Sequence, residues 1–272
     1  MPVISKITVQ KKLKHRYNVF LKDKDSDYYA FSVDEDLLIS YHLHKGQELT
    51  QEQIDQIQEK DASYKVYTLS LKFLSYRMRS EQELINYLQN KDIEITFIDE
   101  VINRLKREGL LDDLAFSEAL VRTRMETSSK GPLLIKKELL EKGINQLIAE
   151  KALRQFPYTK QYEKAEQLIR KKLERPSRKS YKQQVDSAKQ SLLQKGYSLG
   201  VISEVIQQIK TTSNNEEEYE AIIYQGEKAL QKYRKKDSGF QLEHKIRANL
   251  FRKGFDSELI QQFIDEFVVE RE

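Results

Sequence analysis

The chain has 272 residues, a formal net charge of +4, 33% charged and 39% hydrophobic residues, and no cysteine. That excludes disulfides, thiolate nucleophiles and cysteine-ligated zinc or iron–sulfur centres. Glycine and proline together make up 13 residues, roughly 5% against about 12% in average usage, so long helices are expected and a many-stranded β-sandwich is not. No apolar run reaches the ~18 residues of a membrane span. Met1-Pro2-Val3-Ile4-Ser5-Lys6 lacks the layout of a secretory leader. A cytoplasmic protein is expected.

The first sixty residues carry strand patterning. Ile4–Gln10 alternates apolar and polar residues, and Tyr17–Leu21 and Tyr28–Val33 follow, separated by the polar stretch Lys22–Asp27. This spacing predicts a small antiparallel β-meander over residues 3–40. Thr50-Gln51-Glu52-Gln53 is a capping box that opens a short helix, expected to run to about Lys60.

From residue 64 the apolar spacing becomes helical, and it repeats. Four anchors recur: Lys91-Asp92, Lys142-Gly143, Lys195-Gly196 and Lys253-Gly254. Four positions before each second residue stands a leucine: Leu88, Leu139, Leu192 and Leu250. The preceding apolar positions form one face of a helix. Glycine then supplies the left-handed residue that ends it, and lysine sits beside the unsatisfied carbonyls. Asp92 tolerates that conformation, though less readily than glycine. The apolar positions that follow describe a second helix, and each pair has a helix before it, the first over Tyr64–Met78. The expected fold is mainly α, with tandem three-helix repeats in an elongated curved array behind the β-meander. The expected parts are residues 1–61, then three-helix units over 62–110, 111–157, 158–210 and 211–272.

No phosphate loop, dinucleotide fingerprint or nucleophile elbow is present, so no catalytic residue, cofactor or metal is expected and the chain is not read as an enzyme. His42 and His44 could share one strand face, but no third ligand lies nearby, and two exposed imidazoles near a loop are expected. Asp112-Asp113 precedes a helix and reads as a cap rather than a magnesium pair. Charge is concentrated in residues 158–210, with 12 basic and 5 acidic groups, a local field suited to polyanions or an acidic protein face. Arg170, Lys171, Lys172, Arg175, Arg178, Lys179 and Lys182 cluster around Pro176, with Tyr162 and Tyr181 beside them as aromatics stand in nucleic-acid grooves. Lys232–Lys236 reads chiefly as a complement to a helix dipole.

Three motifs carry a resemblance. They are Tyr76-Arg77-Met78-Arg79-Ser80-Glu81-Gln82-Glu83-Leu84, then Gly109-Leu110-Leu111-Asp112-Asp113-Leu114-Ala115-Phe116, then Gly131 with Ile135, Glu138-Leu139 and Lys142-Gly143-Ile144. Together they resemble the RecX regulatory proteins. Phe31–Asp36 and Lys45–Leu49 resemble the longer Gram-positive type. Ser117 and Asp92 depart from the common pattern. The resemblance implies a non-enzymatic modulator that lies in the groove of the RecA–DNA filament. It also implies inhibition of ATP hydrolysis, strand exchange and coprotease action in recombination and the SOS response. The implied partners are RecA and, weakly or within the filament, single- or double-stranded DNA, with the regulator a monomer and no membrane involved. The family motif residues Ser80, Glu83, Leu84, Asp112, Asp113, Phe116 and Gly143 are read as structural. Arg77 and Arg79, together with the seven cations of residues 170–182, are the candidate DNA or RecA contacts. The alternative is a helical-repeat nucleic-acid binder that acts without RecA.

Overall fold

The computed structural model describes residues 1–23, 26–209 and 215–268. Residues 24 and 25 of the expected turn, and the boundary expected at 210–211, lie outside these. The strands β1 (Val3–Val9), β2 (Arg16–Asp23) and β3 (Ser26–Asp34) form an antiparallel sheet in the order β1-β2-β3. Ile7 is opposite Val19, and Val19 is opposite Phe31. Alternate residues therefore face one way: Ile4, Val19, Leu21, Phe31 and Val33 are buried against Leu43, Leu49, Ile54 and Ile57.

The meander ends earlier than the expected residue 40. Asp34 accepts the N–H of Asp36 and caps a helix, α1 (Glu35–Ser40); a capping carboxylate followed by acidic residues favours a helical first turn over more strand. His42 lies just beyond it with φ of 49°, and His42 and His44 are both exposed in the connecting turn, as expected of two imidazoles near a loop.

The helix expected to stop near Lys60 instead runs unbroken as α2 (Gln51–Ser75), opened by the Thr50–Gln53 capping box. No glycine or proline interrupts it, and its midpoint is fixed from outside. Asp61, 1% exposed, accepts from Arg16 at 2.6 Å and from the Asp34 N–H at 3.0 Å, and Lys65 adds a second cation at 2.8 Å. The first half of α2 covers the sheet through Ile54 and Ile57. The second half packs through Val66 against α3 (Glu81–Gln89) and α4 (Ile95–Arg107). The position expected between residues 61 and 62 thus falls inside one helix.

Three further helix triplets follow: α5 (Asp113–Thr127), α6 (Pro132–Glu141) and α7 (Gln146–Leu153); α8 (Tyr158–Leu173), α9 (Tyr181–Gln194) and α10 (Leu199–Ile209); α11 (Asn215–Tyr233), α12 (Gly239–Arg252) and α13 (Ser257–Phe267). The anchor residues Asp92, Gly143, Gly196 and Gly254 all have positive φ, between 58° and 85°. The four anchor leucines are buried. After three of the anchors the next N–H returns to the leucine carbonyl: Ile93 to Leu88, Tyr197 to Leu192 and Phe255 to Leu250. That closes the helix end and draws an apolar residue in behind it. The chain divides into two compact units, Met1–Phe116 with Lys142–Ile144, and Ser117–Glu141 with Asn145–Glu272.

Candidate nucleic-acid and protein interface

The basic cluster is carried by the end of α8, the following loop and the start of α9. Of its seven cations, three are engaged within the protein. Arg170 pairs with Glu166 at 2.7 Å. Lys172 donates to the Ser187 carbonyl at 2.7 Å. Arg178 lies over the Tyr224 ring at 4.3 Å. Lys171, Arg175, Lys179 and Lys182 are exposed and make no ion pair among the described residues. These four remain available to a partner.

The neighbouring tyrosines are not a stacking platform. Tyr162 is half-buried against the Ile169–Leu192 core. Tyr181 is half-buried too, its hydroxyl enclosed without a hydrogen-bond partner among the described residues, and burial followed by the nearby Glu218 charge raises its pKa. Both were drawn inward because each sits at an apolar position of a helix.

Arg77 and Arg79 lead into α3 and are less free than exposed helix-end residues. Arg77 grips Glu83 through both terminal nitrogens at 3.1 Å. Arg79 stacks on Phe73 at 4.2 Å, and Phe73 in turn stacks on Tyr87. The motif residues around them are structural. Ser80 and Glu83 form a reciprocal capping box, and Leu84 and Phe116 are buried. Asp112 accepts the N–H groups of Leu114 and Ala115 and caps α5. Asp113 reaches instead to the N–H of Glu81 at 2.8 Å, so the paired aspartates serve two different helices. Burial raises the Asp113 pKa. Burial alone would also raise Glu83, but hydrogen bonds from Arg77 and Lys142, the Lys142 charge and the Ser80 N–H outweigh it and hold Glu83 at about 2.

The Lys-Gly anchors have a role that spacing alone does not show. Each receives the start of the second helix of the preceding triplet. The Ser80 hydroxyl donates to the Lys142 carbonyl at 2.7 Å, Lys142 donates to Glu83 at 2.8 Å, and a Cβ on Gly143 would come 2.3 Å from the Gln82 side chain. At the start of α6 the N–H groups of Gly131 and Leu133 donate to the carbonyls of Lys195 and Gly196, Lys195 reaches Ser129 at 2.9 Å, and a Cβ on Gly196 would come 2.6 Å from the Leu134 nitrogen. At the start of α9 the Ser180 hydroxyl donates to the Lys253 carbonyl, and a Cβ on Gly254 would come 2.9 Å from Lys182. Glycine is thus required twice over, for its φ and for close approach. Asp92 belongs to the first triplet and is exposed. At the other end, Ser238 makes no capping hydrogen bond at the start of α12, and nothing lies within 4 Å of a Cβ placed on Gly239.

Among the described residues no group of three or more His, Cys, Asp or Glu side chains is placed to hold a metal ion, and no helix is long and apolar enough to cross a membrane.

Comparison with known proteins places these parts. The regulatory protein RecX N-terminal domain matches residues 2–50. The first RecX three-helix domain matches residues 67–105 and the second 112–153. The third matches twice, at 159–206 and 216–264, so the last triplet is a second version of the one before it. Regulatory protein RecX of Oceanobacillus iheyensis is 50% identical over 267 residues, covering 98% of each chain. That of Halalkalibacterium halodurans is 41% identical over 98% of this chain and 100% of its own. A crystal structure of regulatory protein RecX superposes with a TM-score of 0.66 at 35% identity, over 76% of this chain and 100% of that one. The crystal structure of RecX from Lactobacillus salivarius gives 0.55 at 39% identity, over 56% and 99%. With its strand domain and every helix triplet matched in order, this chain belongs to the RecX family of regulatory proteins.

Proposed function

We propose that the chain regulates recombination and the SOS response by binding the groove of the RecA–DNA filament, where it inhibits RecA's ATPase, strand exchange and coprotease activities. The observation that carries this reading is the set of exposed, unpaired cations Lys171, Arg175, Lys179 and Lys182 in a chain of this family. Tandem helical repeats as a class bind through broad surfaces rather than pockets, which suits an extended partner. The cations would meet filament phosphates or acidic protein surface, while Arg77 and Arg79 support the helix that bears the family motif.

The test is DNA-dependent ATP hydrolysis by the cognate RecA, with this protein titrated below one per protomer. A fall at substoichiometric ratios is expected. Lys171→Glu/Arg175→Glu/Lys179→Glu should blunt it. Unchanged hydrolysis, with no binding to preformed filaments, would refute the reading. Tight, site-selective DNA binding without RecA would favour an independent nucleic-acid binder, since incidental binding is expected at only about 10⁻⁴–10⁻⁶ M.

A further inference from the structure

We propose that a second cationic face, built from Lys228 and Lys232 of α11 with Arg178 and Lys253, is a site for the phosphodiester backbone of a nucleic-acid strand. This rests on the reading of the chain as one that acts on a nucleoprotein filament. It adds Lys228, Lys232 and Lys253, which lie outside residues 170–182, to Arg178 of the basic cluster.

The site is assembled from three separate stretches. Tyr224, Lys228 and Lys232 fall at successive i, i+4 positions and share one face of α11. Arg178 covers the Tyr224 ring at 4.3 Å, and Lys228 stands 5.7 Å from the same ring. Gln225 ties the other two stretches together. Its amide nitrogen donates to the Arg178 carbonyl, and its oxygen accepts from Lys253 at 2.7 Å. Lys253 is therefore held in place and half-buried, not waving in solvent. Burial, then the neighbouring charge of Lys228 and to a lesser degree that of Lys232, against an opposing influence of Tyr233, lower its pKa.

None of Arg178, Lys228, Lys232 or Lys253 has a carboxylate partner within ion-pair distance among the described residues. Of the other half-buried lysines, Lys142 and Lys136 meet Glu83 and Glu150, whereas Lys164, Lys172 and Lys195 donate to carbonyl or hydroxyl oxygens, as Lys253 does to Gln225. Glu174, Glu217 and Glu220 do line a groove together with Arg178 and Tyr224; Glu217 and Glu220 precede Tyr224 on α11, whereas Lys228 and Lys232 follow it. Like charges gathered without counter-charges cost stability unless an external anion joins them.

A polyanion fits this face better than a protein does. Protein interfaces draw their energy from exposed aromatic or apolar anchors. Here the Tyr224 ring is already covered by Arg178, and Ala221, Ile222 and Ala229 of α11 are buried in the core. What remains is charge and lysine stem, which suits phosphates.

The test is binding of a fluorescein-labelled oligothymidylate to the full chain by anisotropy across a salt series, comparing the wild type with Lys228→Gln/Lys232→Gln. Both residues are exposed, and circular dichroism confirms the fold of each variant. The slope of log affinity against log salt should become shallower by about 1.4, from two lost single-strand phosphate contacts. Lys11→Gln/Lys12→Gln removes the same charge from an exposed loop of the other compact unit and should leave the slope unchanged. Equal slopes for the wild type and Lys228→Gln/Lys232→Gln would overturn the proposal. So would a variant that keeps its oligothymidylate affinity while losing preformed RecA filaments, because the face would then meet protein. A wild type that binds no oligothymidylate would overturn it as well, while leaving the ATPase titration to judge the wider function separately.

Discussion

Gly196→Ala is the sharpest test of how the triplets are joined. Two costs are expected, and Gly109→Ala separates them. Both glycines are left-handed, at φ of 85° and 69°, so either alanine costs about 1–2 kcal/mol in backbone strain. Around Gly109 the new Cβ meets nothing within 4 Å, and the cost ends there. At Gly196 it would stand 2.6 Å from the Leu134 nitrogen and 3.0–3.2 Å from its side chain. That contact involves backbone, so α6 itself must shift, adding about 1–3 kcal/mol of overpacking. Gly196→Ala should therefore cost roughly 2–5 kcal/mol and Gly109→Ala only the smaller part. Repeat arrays lose strict two-state behaviour, so urea midpoints should be paired with hydrogen exchange. The Gly131 and Leu133 amides, which donate to Lys195 and Gly196, should lose protection in Gly196→Ala and keep it in Gly109→Ala. Equal destabilisation by the two variants, with those amides still protected, would refute the close-approach argument.

Two further outcomes are expected. Asp61→Ala leaves the half-buried Arg16 guanidinium with Ser32 alone and strands the Asp34 N–H and should cost about 3–5 kcal/mol in urea unfolding; a loss under about 1 kcal/mol would mean that the network contributes little. Glu83 and Glu138 are both held at about 2, the latter by hydrogen bonds from Arg124, against opposing burial, and by Lys130. Folded values lowered from 4.5 give stability that is full above that value and drains away as pH falls toward 2. The melting temperature should drop over that window, and Glu83→Gln/Glu138→Gln should flatten the drop; an unchanged profile would remove these two carboxylates as its cause.

The repeat was legible because its signal is local. A leucine, a lysine and a glycine at fixed offsets are each demanded by the end of one helix, so sequence spacing alone reveals them. What the same residues do across triplets was not legible. The reading of lysine as a dipole complement missed that Lys142 and Lys195 hold Glu83 and Ser129, which lie 59 and 66 positions away. The continuity of α2 was missed for a related reason. Thr50 announces a start, but nothing in Asp61-Ala62-Ser63 announces either a stop or the buried arginine that keeps the helix going. The basic cluster was found as a density of charge. Its division into engaged and available cations depended on Glu166, Ser187 and Tyr224. Lys228 escaped notice because the acidic groups of residues 211–272 mask it in any segment-wide count.

Among the described residues, the start of α12 and the exposed Asp92 turn take no part in the joint that α3, α6 and α9 each make with a Lys-Gly turn. At the three occupied joints a Cβ on the glycine would have only 2.3–2.9 Å. The Asp92 turn carries such a Cβ, so it is barred from seating a helix start as closely as its three counterparts do.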